Sequence, residues 1–140
     1  MRCITLISLT LAFSLFTAFV WSVPSFAENP DPIDIAMAAC LNSEEGVSTV
    51  GQLGCIGKAN AAWDKRLNAA YGALMKTLDA KQHALLLAAQ RTWLEYRNKD
   101  ATFVDEWAGN NGSLGPVLAA NARLDELRAR ARALELINDN

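Results

Sequence analysis

The sequence is poor in the groups from which most active sites are built. Its 140 residues include one histidine, His83, and three cysteines. There is no HExxH pattern and no Cys/His cluster, which excludes a metal shell of that kind. His83 stands on a polar stretch near a helix start and reads as a surface residue. The carboxylate pairs Glu44-Glu45, Asp105-Glu106 and Asp125-Glu126 are sequence neighbours. Glycosidic cleavage needs two carboxyl groups facing each other across a cleft, whereas adjacent side chains on a helix point apart. No catalytic residue, metal site or cofactor is assigned, and the chain reads as a non-enzyme. A basic excess is also lacking, with 13 Lys+Arg against 15 Asp+Glu. A nucleic-acid binder would show a basic stripe, so that class is set aside; a basic protein partner is compatible. No alternating strand pattern, internal repeat or low-complexity tract is evident.

What is present begins with MRCITLISLTLAFSLFTAFVWSVPSFA, residues 1–27. Arg2 supplies a short positive start, residues 4–21 are apolar apart from small hydroxyl groups, and Pro24 breaks the run. Ser25 and Ala27 place small residues at the −3 and −1 positions of a cleavage site, as in a secretory signal peptide cut after Ala27. An uncleaved anchor is the alternative, since the apolar run falls slightly short of the ~20 residues a bilayer requires. Cys3 precedes the apolar core and is not placed for lipidation. The expectation is a soluble exported protein, periplasmic or secreted, without stable membrane insertion once the leader is removed.

Arg2 is the only charge in that leader, so residues 28–140 carry 12 basic against 15 acidic side chains. They form one domain with an adequate but not generous core. Two cysteines remain, Cys40 and Cys55. An even count in an exported chain reads as one disulfide, with two free buried thiols as the alternative.

Helical periodicity dominates the rest. Residues 34–41 suit a short helix capped by Asp31 or Asp34, and residues 42–46 a turn. From Ser48 a long helix carries one apolar stripe: Leu53, Ile56, Ala59, Trp63, Leu67, Ala70, Leu74 and Leu78. Gly51, Gly54 and Gly57 weaken its start by up to ~1 kcal/mol each, which a cross-link through Cys55 would offset. After a break at residues 79–81, a third helix runs to about Trp107, with Leu86, Ala89, Trp93, Tyr96 or Arg97, Asp100, Val104 and Trp107 inward. Residues 108–115 (AGNNGSLG) form the strongest loop signal. Pro116 suits the first turn of a last helix to about Ile137. Val117, Leu124, Leu127, Ala131, Leu134 and Ile137 face inward on it, and its arginines lie mostly outside. The predicted fold is all-α: an antiparallel bundle of three longer helices plus a short disulfide-linked N-terminal one.

Two places could carry contacts. Gln90, Trp93 and Arg97 share one face of the third helix, and Asp64 and Asn68 one face of the second. Arg97 can reach Asp64 or Asp100 as a partly buried pair, with Gln90 locking neighbouring helices. Arg91 points to solvent, and Trp63 and Trp93 read as core aromatics. The loop of Asn110, Asn111, Gly112, Ser113, Leu114 and Gly115 offers amides, a hydroxyl and an exposed leucine. A loop on a rigid scaffold is a frequent site of function, although a plain connection explains it as well.

The run Cys55…Ala61-Ala62-Trp63-Asp64…Leu67-Asn68…Tyr71…Leu74…Leu78, then Leu86…Ala89-Gln90-Arg91-Thr92-Trp93…Tyr96-Arg97, then Gly112-Ser113, resembles the LprI-like family of small exported proteins. These carry the lysozyme-inhibitor LprI N-terminal-type domain, formerly a domain of unknown function. The resemblance covers about residues 36–135 and makes Asp64, Asn68, Tyr71, Gln90, Arg91, Trp93 and Arg97 its structural motif. It also implies a second disulfide, but Asp100-Ala101 and Ala119-Ala120-Asn121 stand where those cysteines are expected. Losing both together avoids an exposed reactive thiol. Arg97-Asn98 likewise replaces the more usual Arg-Asp.

The resemblance implies a non-catalytic binding protein whose partner is a protein such as lysozyme or another muramidase. By analogy with inhibitors that plug a catalytic cleft, Ser113 with Asn111 and Gly112 is the candidate inserting element. An envelope adaptor or toxin-immunity protein using a helix face is the alternative.

Overall fold

Asp31 opens the first helix. Its carboxylate accepts the Ile33 backbone N–H at 2.9 Å, and Pro32 occupies the first turn, where a missing N–H costs nothing. The computed structural model describes residues 29–139; the expected leader and its expected cleavage after Ala27 lie outside them. Helix α1 spans Pro32–Leu41 and is followed by a 3-10 turn, Glu44–Val47. Helices α2 (Thr49–Thr77) and α3 (Ala80–Gly109) come next, then a 3-10 turn, Gly112–Leu114, and α4 (Gly115–Asn138). No strand occurs among the described residues, and no helix there is long and apolar enough to cross a membrane.

The caps explain where the long helices start. Ser48 accepts the Gly51 N–H at 3.0 Å, and Asp79 and Gln82 satisfy each other's backbone N–H in a capping box. Cross-helix contacts fix the directions. Asp31, Asp34 and Cys40 meet Arg66, Trp63 and Cys55, so α1 is antiparallel to α2. Trp63 and Arg66 meet Arg132 and Glu135, so α4 is parallel to α2. Arg130 meets Gln90 and Arg123 meets Asp105, so α4 is antiparallel to α3.

The core is the interface of α2 with α4. Ile56, Trp63, Leu67 and Leu74 interlock with Leu124, Leu127, Ala131 and Leu134, all buried. Each such leucine contributes about 1.5–3 kcal/mol relative to its exposed state. Ile137, expected inside, is exposed because it lies about a quarter-turn off the stripe of Leu124, Leu127, Ala131 and Leu134.

Cys40 and Cys55 form the expected disulfide, with Cα atoms 5.7 Å apart, and tie α1 to the start of α2. Gly51 has a role beyond weakening that start. A Cβ there would lie 1.5 Å from the Glu45 carbonyl oxygen, so only glycine lets the 3-10 turn cross α2 so closely.

Trp63 is wholly buried, and its indole N–H donates to Asp34 Oδ1 at 3.0 Å. Arg66, Arg128 and Arg132 surround its ring at 4.8, 5.9 and 5.3 Å from the centroid. Arg128 and Arg132 also approach Asp34, at 3.0 and 3.5 Å. The α4 arginines are therefore not mainly outside: they neutralise α1 carboxylates and bridge to α3. Arg66 completes the joint by pairing with both Asp31 and Glu135.

The third helix departs most from expectation. Among its 30 residues only Gln90 and Ala108 are buried. Ala89 and Trp107, placed inward by periodicity, are exposed; of the alternatives Tyr96 or Arg97, Arg97 is the half-buried one, as is Trp93. The reason is geometric. Helix α4 occupies the apolar stripe of α2, so α3 packs chiefly on α4 and barely approaches α2. A groove remains between α2 and α3.

Candidate functional site

That groove collects the polar-aromatic motif. Asp64, Asn68 and Tyr71 stand at i, i+4 and i+7 on α2, while Gln90, Trp93 and Arg97 stand at i, i+3 and i+7 on α3. With Arg91 at its edge, they line one hollow of about 260 Å³. A second hollow, of about 470 Å³, shares Asp64 and Arg97 with the first and continues past Asn60 to Ala120 and Arg123.

Local partners hold some of these groups and leave others free. Asn68 Nδ2 donates to Asp64 Oδ2 at 3.0 Å. Arg130 Nε donates to Gln90 Oε1 at 3.0 Å, so Gln90 does fasten α3 to α4 as expected. Arg97 forms no ion pair with Asp64 or Asp100; its guanidinium lies over the Trp93 ring, 5.5 Å from the centroid. The separation of α2 from α3 accounts for the missing pair with Asp64; Asp100 lies on α3 itself. Arg91 is exposed, as expected, but borders the hollow rather than standing apart from it.

At the far end of α3 the connection is tighter than the predicted loop. Helix α3 continues through Gly109, and Asn110 and Asn111 fold back to donate to the Glu106 and Trp107 carbonyls at 2.9 and 2.6 Å. These bonds satisfy carbonyls that a helix end leaves without an internal partner. Gly112 has φ +58°, a left-handed conformation that favours glycine. Ser113 is exposed on the 3-10 turn, and its hydroxyl has no protein partner among the described residues.

Beside this turn lies an apolar patch that sequence reasoning missed. Phe103 is 68% exposed, Trp107 42% and Leu114 59%. Phe103, Val104 and Trp107 of α3 join Leu118 and Ala122 of α4 around a hollow of about 330 Å³. The available signal was a pair of i, i+4 apolar steps flanking the turn, Phe103/Trp107 and Leu114/Leu118. In the neighbouring stretch, Arg123 pairs with Asp105 and donates to the Ala101 carbonyl at 3.4 Å. Polar ties thus join α3 to α4 where the resemblance placed a missing disulfide.

Electrostatic perturbation lies mostly elsewhere. Burial pushes the Asp31 carboxyl up, but the Ile33 N–H together with Arg66 and Arg132 outweighs it and holds the group below the ordinary range. Glu135 and Asp31 raise Arg66 against the opposing effect of burial. A hydrogen bond to Glu126, with the charges of Glu126 and Asp100, raises the Tyr96 phenol. Cys40, Glu45 and Cys55 are grouped closely enough to suggest a metal. The disulfide consumes both sulfurs, however, and Glu45 accepts from Lys58 at 2.7 Å.

The family model described as lysozyme inhibitor LprI matches residues 37–134. The chain belongs to the lysozyme inhibitor LprI family. Both walls of the groove, the disulfide partner Cys55 and the 112–114 turn fall inside the match. No curated protein matches the chain. A crystal structure of an uncharacterized protein from Burkholderia thailandensis is similar over 79% of this chain, with 35% identity and a TM-score of 0.70. The match covers 55% of that protein, so this chain spans little more than half its length.

Proposed function

We propose that this LprI-family protein is exported and acts without catalysis, binding and inhibiting a lysozyme or related muramidase. The observation that carries the reading is the cluster of Phe103, Trp107, Leu114 and Leu118, solvent-facing around the Ser113 turn, in a member of an inhibitor family. Buried aromatic anchors at the centre of a contact contribute disproportionately to protein–protein affinity. Here Phe103, Trp107 and Leu118 line one hollow on the side of α3 and α4, and Leu114 is exposed on the adjoining turn beside Ser113. The pattern of residues 1–27 supports delivery to the periplasm, where such hydrolases act.

The test is lysozyme turnover on cell walls with the purified protein in micromolar excess, together with calorimetry. Slowed turnover with a saturable heat supports the reading; unchanged turnover without heat rejects it.

A second reading rests on α3 itself. Leu85 and Tyr96 also face solvent along this helix, away from the turn, and their spacing puts them on one side of it, as an adaptor or immunity protein using a helix face requires. Replacing residues 110–115 with a Gly/Ser linker separates the two. Partner binding that survives the replacement favours the helix face; binding that is lost favours the turn.

A further inference from the structure

We propose that the groove between α2 and α3 is a binding site for an acidic sugar, a pyranose ring that carries a carboxylate. This goes beyond the inhibitor reading, which uses the C-terminal end of α3 and the turn after it.

The argument starts from the charge on Arg97. A structural arginine at a helix–helix boundary is ordinarily neutralised, as Arg66, Arg123 and Arg128 are here. Among the described residues Arg97 has no carboxylate partner, and its guanidinium lies over the Trp93 ring. A guanidinium that lies over an aromatic ring and lines a hollow can receive a carboxylate through two parallel N–H bonds. Arg91 adds a second positive charge at the edge of the same hollow.

The remaining lining selects what the carboxylate is attached to. Gln90 uses its oxygen on Arg130, so its amide N–H groups have no protein acceptor among the described residues. The Tyr71 hydroxyl likewise has no partner there. Asp64, the one carboxylate among the residues lining either hollow, keeps acceptor capacity beyond its bond from Asn68. Donors and an acceptor beside the Tyr71 ring suit a sugar with hydroxyl groups at its edge and C–H bonds on its face. Asp64 disfavours a phosphate, whose higher charge it would repel. The first hollow, about 260 Å³, lies just below the usual range of small-ligand sites, and its continuation of about 470 Å³ leaves room for a linked second ring.

The experiment titrates the purified protein with N-acetylmuramic acid, following tryptophan fluorescence and calorimetry. N-acetylglucosamine serves as the neutral ring and lactate as the carboxylate without a ring. The expected result is saturable binding of the acid, with neutral ring and lactate each at least about tenfold weaker, as the loss of a charged hydrogen bond or the ring contacts implies. Arg97→Gln removes the preference for the acid, Arg97→Lys keeps part of it, and Trp93→Phe abolishes the fluorescence change. Circular dichroism checks that each variant is folded. Absence of saturable binding, equal affinity for the neutral ring, lactate binding as tight as the acid, or an unchanged preference in Arg97→Gln would each overturn the site. Loss of lysozyme inhibition without loss of sugar binding, in Phe103 and Trp107 variants, keeps the two readings apart.

Discussion

The Trp63 indole N–H donates to Asp34 at 3.0 Å across the joint between α1 and α2. Trp63 is wholly buried, and Asp34 is the partner of its N–H. Asp34 also faces Arg128 and Arg132, and its removal leaves two guanidiniums less neutralised. Asp34→Ala is expected to cost about 2–3 kcal/mol in chemical denaturation, the range for an unpaired buried donor near charges. Asp34→Asn keeps an acceptor for the indole and should cost roughly half as much.

Asp31 gives the fold a sensitivity to acid. Its folded carboxyl binds a proton less readily than an ordinary aspartate, at 3.8, because the Ile33 N–H and Arg66 outweigh the effect of burial. Its stabilising contribution is therefore complete above the unfolded value and is lost as pH falls through the lower folded one. Unfolding free energy should decline between about pH 5 and about pH 2, and Asp31→Asn should flatten part of that decline. Denaturation curves over that interval check the sign.

Reduction of Cys40–Cys55 opens a loop with a sequence separation of 15. The expected loss is about 3 kcal/mol by the chain-entropy argument. Because α1 contributes no fully buried residue of its own, hydrogen exchange should show it released before the α2–α4 core melts. Simultaneous release of all helices would contradict this order.

Two glycines on α2 should respond in opposite directions. Gly51→Ala meets the Glu45 backbone and should destabilise by about 1–3 kcal/mol, as overpacking does. Gly57 has open space where a Cβ would go, so Gly57→Ala should stabilise by up to about 1 kcal/mol. Paired thermal melts measure both.

The α2 stripe was legible because every member of it meets the core. Ile56, Trp63, Leu67 and Leu74 face α4, and 3.6-residue periodicity reports that directly. The disulfide followed from cysteine count, and two helix starts from Ser48 and Pro116; the third helix begins at Ala80, inside the expected break. Helix α3 was misread because its apolar side chains are divided between two surfaces. Leu86 and Trp93 approach the core, whereas Phe103 and Trp107 face solvent. Periodicity detects a stripe but does not say whether another helix covers it. The motif residues were identifiable as one set, yet the groove they line depends on how far α2 stands from α3. That distance is set by α4, which comes later in the chain. For the same reason Arg128 and Arg132 looked external until Trp63 and Asp34 were seen opposite them.

The inhibition constant against lysozyme, compared between the natural protein and a Phe103→Ser/Trp107→Ser variant, tests the proposed inhibitory surface most directly. Both side chains are exposed, so the fold should survive, and losing two aromatic anchors should weaken inhibition by roughly 30-fold or more. A natural protein that does not inhibit, or a folded variant that inhibits equally well, would contradict the account.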